Sequence, residues 1–321
     1  MFVTPWKLNQ RGILGMNRRN IGYISRYNQR RFFPLVDNKL KTKVLAEEAK
    51  ISTPKLIGLV ESQYDVTHLA DILKGINGFA IKPAKGSGGK GIMVLKRNVE
   101  GEFIKSSGTV VSLGELQRHV TNTLAGLHSL GGNPDVALIE ELIEVDSFLS
   151  DFSFEGVPDI RVIVCRGYPV MAMIRLATRA SDGKANLHQG AVGVGLDIAT
   201  GRPLNAVQFG EPVTHHPDTG RDLSTLAIPD WHTLLVLAAR CYEISGLGYL
   251  GTDMVLDSKH GPMLLELNAR PGLAIQLANG EGLLHRLRKI DALKKRELSL
   301  SAEERVALSQ QWFASKKENL L

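Results

Sequence analysis

The sequence predicts an α+β fold, and three observations carry that expectation. Segments with apolar residues at helical spacing are interspersed with short apolar runs. Those runs pair mostly as antiparallel hairpins around turn-forming residues, unlike the helix-linked strands of a doubly wound parallel sheet. The clearest hairpin, 251–272 (GTDMVLDSKHGPMLLELNARPG), places two apolar segments around the turn DSKHG.

Asp37 or Asn38 can cap a helix running to about Lys50, with Leu40, Val44, Leu45 and Ala49 on one face and Pro54 closing the unit. Residues 78–83, GFAIKP, read as a strand and 92–95 as its return, with AKGSGGKG between them. Leu113, Leu116, Val120, Leu124 and Leu127 place an amphipathic helix over 113–128, broken by Gly131, Gly132 and Pro134. Residues 136–143, VALIEELI, form a strand with two glutamates inside an apolar run. Strands at 160–164 and 169–174 turn through Arg166, Gly167 and Tyr168. Pro229 starts a helix through Trp231, Leu234, Leu235, Ala238 and Tyr242 that stops at Ser245-Gly246. The hairpin follows, and from Gly282 onward a charged tail ends in a helix with the capping box Ser301/Glu304.

The hairpin carries chemistry. A register symmetric about its turn sets Asp253 opposite Glu266, and Asn268, two residues on, points to the same face. Facing carboxylates repel unless a cation lies between them. Oxygen ligands of this kind suit magnesium or manganese held together with substrate phosphates. A phosphate site is foreshadowed at 82–91, KPAKGSGGKG, where Gly86, Gly88, Gly89 and Gly91 let backbone N–H groups approach an anion. No Ser or Thr follows Lys90, so this is not a Walker loop; between two strands it is expected to be a flap. Lys82 can project its charge toward the same anion. Of Glu140 and Glu141, adjacent in a strand, at most one faces the core.

Composition sets the limits. A chain of 321 residues holds one large or two medium domains. No apolar run reaches spanning length, and MFVTPWKLNQRGILG lacks the apolar stretch of a signal peptide, so a cytoplasmic protein without a membrane span is expected. Cys165 and Cys241 have no motif spacing and read as buried core residues. Residues 1–36 carry Lys7, Arg11, Arg18, Arg19, Arg26, Arg30 and Arg31 and no acid. This segment reads as a solvated or docking arm, as a surface closing over an anionic ligand, or as a targeting peptide. No nucleic-acid motif accompanies the charge, so a nucleic-acid partner is not expected.

Together these pieces resemble the ATP-grasp superfamily of carboxylate–amine ligases, on the α-L-glutamate ligase-like branch that includes the ribosomal-protein glutamate ligases. The resemblance covers 37–280. The acid–lysine pair matches Asp37-Asn38-Lys39, the flap GSGGKG, the hinge Ile139-Glu140-Glu141-Leu142-Ile143, and the D-I-R motif Asp159-Ile160-Arg161. The family's S-N-L-H-R-G stands as Ala185-Asn186-Leu187-His188-Gln189-Gly190, and its metal motifs as Thr252-Asp253-Met254 and Glu266-Leu267-Asn268-Ala269-Arg270-Pro271-Gly272.

The resemblance implies two α+β lobes clasping ATP, divided as a basic N-terminal arm (1–36), a first lobe with the flap (37–135), a second lobe with the metal site (136–280) and a charged helical tail (281–321). It implies ATP held by Lys39 (with Lys43 as the alternative), Lys82, Gly86, Ser87, Gly88, Gly89, Glu140, Glu141, Ile143 and Asn186. Asp253, Glu266 and Asn268 would hold two magnesium or manganese ions. Arg161 and Lys82 would act on the transferred phosphoryl group. Arg175, Arg179, His188 and Arg270 are the substrate candidates, since Arg pairs bidentately with carboxylates. The implied reaction joins a carboxylate to an amine through an acyl phosphate, glutamate added to a peptide or protein being one case.

Departures concern the substrate. About 36 residues precede the core where the family carries a full α/β domain, Arg270 replaces a serine and Gln189 an arginine. The N-terminal arm or a protein partner would then complete the acceptor site. Ligation of a non-peptide metabolite, chemistry linked to sugar transfer, and a nucleotide-binding regulatory module without ligation remain the alternatives.

Overall fold

A computed structural model describes residues 4–86, 88–105 and 107–315. The chain divides into two compact units, one of Asp37–Val44 and Thr53–Glu144, the other of Met1–Val36, Leu45–Ser52 and Val145–Leu321.

In the smaller unit six strands are β1 (Leu56–Val60), β2 (Gly78–Pro83), β3 (Met93–Arg97), β4 (Phe103–Ile104), β5 (Val110–Val111) and β6 (Ala137–Glu141). They form an antiparallel sheet in the order β1-β6-β2-β3-β4-β5. Phe79, Ile81, Leu95 and Ile139 bury one side against Leu116 and Val120 of the helix Leu113–Leu124. That helix opens with a reciprocal Ser112/Glu115 capping box, which satisfies two orphan N–H groups. It ends a turn earlier than the apolar spacing predicts. Gly126 has φ +85°, and a Cβ there would lie 2.4 Å from the Asn133 carbonyl oxygen, so the chain turns at a position only glycine fills comfortably.

The larger unit is built on β7 (Asp159–Cys165), β8 (Tyr168–Leu176), β9 (Val192–Leu196), β10 (Pro203–Gln208), β11 (Glu211–Pro212), β12 (Tyr249–Asp257) and β13 (Gly261–Asn268). The order is β11-β10-β9-β8-β7-β12-β13, antiparallel throughout. Arg166 (φ 51°) and Gly167 (φ 84°) form the two-residue turn between β7 and β8; both left-handed values match the twist of a tight hairpin. Tyr168 belongs to the strand rather than to the turn. Every residue of β8 and β12 is buried, so both faces of the sheet centre are covered. The helix Trp231–Ser245 supplies Leu234, Leu235, Ala238 and Ala239 to this core and stops at Gly246, φ 64°. It begins two residues after Pro229, because Asp230 sits at φ 50° and interrupts the helical backbone.

Both ends of the chain contribute to this core. Leu14, Tyr23, Ile24 and Val36 are buried in it, so the segment from Gly12 to Val36 packs on this core, while residues 4–11 are exposed. Leu284, Leu287, Ile290, Val306 and Phe313 are buried as well, so the charged segment after Gly282 presents one apolar face inward. Cys165 and Cys241 are free and buried. His216 is also buried. Its Nε2 lies 3.0 Å from the Ala177 carbonyl, and its Nδ1 accepts from the N–H groups of Asp218 and Thr219. Burial lowers its pKa.

Candidate functional site

In the larger unit the sheet register lines up one row of side chains. Met173 on β8 pairs with Arg161 on β7, Arg161 with Asp253 on β12, and Asp253 with Glu266 on β13. The hairpin reaches the Asp253–Glu266 pairing by a route that symmetry about its turn does not give. From Asp257↔Gly261 to Met254↔Leu264 the register would bring Leu265 opposite Asp253. One extra residue, Leu265, bulges out and moves Glu266 into place. Bulges re-aim side chains in this way beside functional sites. Asn268 pairs with Gly251 and turns its amide to the same carboxylate, Nδ2 donating to Asp253 Oδ2 at 3.1 Å.

Arg161 grips Asp253 with both arms of its fork, Nε to Oδ1 at 2.7 Å and an η-nitrogen to Oδ2 at 2.6 Å. Arg175, two residues further along β8, bonds Asp159 and reaches Asp253 Oδ2 at 3.1 Å. Burial alone would raise the pKa of Asp253, but Arg161 and Arg175 outweigh it and hold the carboxyl low. Asp159 goes the other way: burial dominates over Arg175, and its pKa rises to about 7. Neighbouring Asp253 and Glu266 push it in the same direction. Asp159 Oδ1 is buried without a hydrogen-bond partner.

Three carboxylates, Asp159, Asp253 and Glu266, thus face two guanidiniums, Arg161 and Arg175. The set is rich in carboxylate oxygens, and one of them, Asp159 Oδ1, is buried without a hydrogen-bond partner. Oxygen donors of this kind are the ligands a hard divalent cation takes. Among the described residues no group of three or more His, Cys, Asp or Glu is arranged to hold a metal ion by itself. An ion here would need further oxygens, as magnesium does when it is held with substrate phosphates.

The smaller unit reverses the arrangement. Glu140 is buried on β6 and bridges two lysines, Lys43 Nζ at 2.9 Å and Lys82 Nζ at 2.6 Å. Burial opposes the charge of Glu140, yet the two ammonium groups outweigh it and lower its pKa. Glu141, its strand neighbour, is exposed, as the alternation of a strand requires. Lys43, 5% exposed, is therefore the lysine that joins Lys82, while Lys39 lies elsewhere in this unit, its Nζ donating to the Gly86 carbonyl at 2.6 Å. Gly88 and Gly89 adopt φ of 63° and 75° with open space where a Cβ would be, the condition for an anion to approach the backbone. Ser87 lies outside the described residues. Ile143 follows β6, half-buried.

The remaining candidates in the larger unit are dispersed. Asn186 caps the short helix Leu187–Gln189, its Oδ1 accepting from the His188 N–H, and His188 itself is exposed. Arg179 is exposed and stacks on Phe154, 5.2 Å from the ring centroid. Arg270 stacks on Phe33 at 4.8 Å. Of the four substrate candidates, the structure brings only Arg175 into the ionic row.

Asp159, quoted only as part of the D-I-R motif, pairs with Arg175. One contributor escapes the sequence reading. Asn28, an unremarkable polar residue in the sequence, is buried and bridges the two strands of the hairpin region. Its amide donates to the carbonyls of Tyr249 at 2.7 Å and Ala269 at 3.0 Å, and its oxygen accepts from the Tyr249 N–H. Only a side chain with both a donor and an acceptor can do this, and it fixes the backbone one residue beyond Asn268.

A two-unit α+β chain with a lysine-bridged acid and a Gly-rich loop in one sheet, and an acid–arginine row in the other, has the parts of an ATP-grasp protein. The model of the sugar-transfer associated ATP-grasp family matches residues 18–292, so the chain belongs to that family. The match includes residues 18–36, the segment packed against the larger sheet. A probable alpha-L-glutamate ligase of Maridesulfovibrio salexigens is 31% identical over 135 residues, 42% of this chain and 33% of that protein. A second, of Parasynechococcus marenigrum, is 28% identical over 244 residues, 74% of this chain and 40% of the relative. The chain thus spans between a third and two fifths of these curated relatives. Among solved structures, D-cycloserine synthetase DcsG gives a TM-score of 0.48 at 14% identity, over 97% of this chain and 82% of that one. The ATP-grasp ligase PsnB, solved with a precursor variant, Mg and ADP, gives 0.44 at 12% identity, over 88% and 61%. Neither similarity bears on the ligand or substrate of this chain.

Proposed function

We propose that the protein is an ATP- and magnesium-dependent ligase that joins a carboxylate to an amine. The observation that carries this reading is the row Arg161–Asp253–Glu266 with Asn268, an acid-rich set in a chain matched over 18–292 by an ATP-grasp family. Asp253, Glu266 and Asn268 would hold magnesium, which when bound with ATP offsets charge on the phosphates. Lys43 and Lys82, prepositioned on Glu140, and the N–H groups at Gly86, Gly88 and Gly89 bind phosphate oxygens. Arg161, held in a fixed orientation by Asp253, stabilises charge on the transferred group. A substrate carboxylate oxygen attacks the γ-phosphorus and ADP leaves; the amine nitrogen then attacks the acyl carbon, and phosphate leaves with the C–O bond electrons.

The relatives named as probable alpha-L-glutamate ligases favour glutamate as the amine and a peptide or protein tail as the acceptor. The family's association with sugar transfer supports a second reading, a carboxylate or amine borne on a sugar-containing metabolite. A screen of ADP release against amino acids, peptides and amino or acidic sugars, with mass spectrometry of the products, separates the two. Glu266→Gln is expected to abolish ADP release while the fold is retained. Near-normal turnover in that variant would remove the metal role of the hairpin.

A further inference from the structure

We propose that the larger unit carries a docking surface for an anionic lipid bilayer, built by residues 4–33 together with Arg166. The charge in this segment is held in place. Tyr27 and Phe32 pack on the turn that leads into β12: a Cβ at Gly248 would lie 2.9 Å from Tyr27, and one at Gly246 would lie 3.2 Å from Phe32. Arg26 and Arg166 both stack on the Tyr27 ring, at 5.0 and 5.5 Å, and Arg31 stacks on Phe32 at 4.7 Å. Arg166 is fixed further through its N–H, which donates to the Gly248 carbonyl at 2.7 Å. Three guanidiniums from two distant parts of the chain thus converge on residues 246–248. Stacking restrains each guanidinium, so little rotamer freedom is lost when it meets a phosphate, and an acid beside them, Asp291, lies 3.9 Å from Arg26.

The same opening segment also exposes apolar side chains. The same segment buries Leu14, Tyr23 and Ile24, yet leaves Trp6 67%, Met16 64% and Ile21 75% exposed, interleaved with Lys7, Arg11, Arg18 and Arg19. A basic stretch without acids that also exposes Trp, Met and Ile has the composition of an element that lies in a headgroup layer. Nucleic acid is the poorer occupant. The rings of Tyr27 and Phe32 are already covered by arginines and are not offered for base stacking, and a phosphate backbone gives Ile21 and Met16 nothing to bury against. Among the described residues no helix is long and apolar enough to cross a membrane, so the contact is peripheral.

Cosedimentation of the full chain with phosphatidylcholine vesicles, with and without phosphatidylglycerol, tests this. The protein is expected to pellet with the anionic vesicles only, and less so as salt rises. Arg26→Glu/Arg31→Glu should cut the bound fraction at least about tenfold. Ile21→Ser should weaken binding at high salt, where the apolar contribution remains. Lys74→Glu/Lys105→Glu, charge reversals in the smaller unit, should bind as the wild type does. Failure to pellet, equal binding to neutral vesicles, indifference to the arginine reversals, or tighter binding to duplex DNA at the same salt would each overturn the assignment.

Discussion

The two units solve the same electrostatic problem with opposite signs. In the smaller, one buried acid, Glu140, serves two lysines, and the cluster keeps a surplus positive charge. In the larger, three acids, Asp159, Asp253 and Glu266, gather around two arginines, Arg161 and Arg175. The residue choice follows the sign. Lysine is a point charge on a flexible stem, suited to following a phosphate; arginine is a rigid fork, suited to locking one carboxylate in place. A lysine pair of this kind suits an anion, and a carboxylate-rich row suits a cation.

The comparison breaks most visibly at Glu140. Glu140→Leu leaves two lysines without their counter-charge in a buried site, and should cost about 3–5 kcal/mol of the smaller unit's stability, read as a lower urea midpoint. Adding Lys43→Met and Lys82→Met should recover most of that loss while leaving nucleotide binding absent. Asn28→Ala leaves polar groups at Tyr249 and Ala269 unpaired; a loss of about 2–3 kcal/mol is expected in the larger unit, again by urea titration. Lys82→Ala removes one phosphate contact but leaves Lys43 on Glu140, so ATP affinity should fall about tenfold. An unchanged affinity would take Lys82 out of the site.

The smallest effect concerns pH and lies outside both clusters. His216 is buried with its Nδ1 accepting two backbone N–H bonds, and burial lowers its pKa. The unfolded chain therefore binds more protons than the folded one as pH falls below the ordinary histidine value, and stability is lost on acidification through that range. His216→Gln should show a shallower fall in melting temperature between neutral pH and mildly acidic pH.

Much of this was legible in the sequence, for local reasons. Strand β2 at 78–83 follows from its composition, the helix 113–124 from its apolar spacing and capping box, and the hairpin from its turn. The two buried cysteines follow from their isolation. What depended on long-range packing did not show. The bulge at Leu265 has no signature in composition; without it Glu266 would face away from Asp253. Lys39 and Lys43 sit one helical turn apart, and only the tertiary position of Glu140 selects Lys43 as its partner. The basic opening segment looked like an arm because it carries basic residues and no acid, yet Leu14, Tyr23 and Ile24 are buried in the core of the larger unit.

The central claim is that Asp253, Glu266 and Asn268 hold the divalent cation that accompanies the nucleotide. Calorimetric titration of ATP into the wild type and Glu266→Gln, each with and without magnesium, tests it most directly. The account predicts that magnesium strengthens ATP binding to the wild type, that Glu266→Gln loses most of this gain, and that affinity without magnesium is the same in both. A magnesium effect of equal size in the two proteins would contradict it.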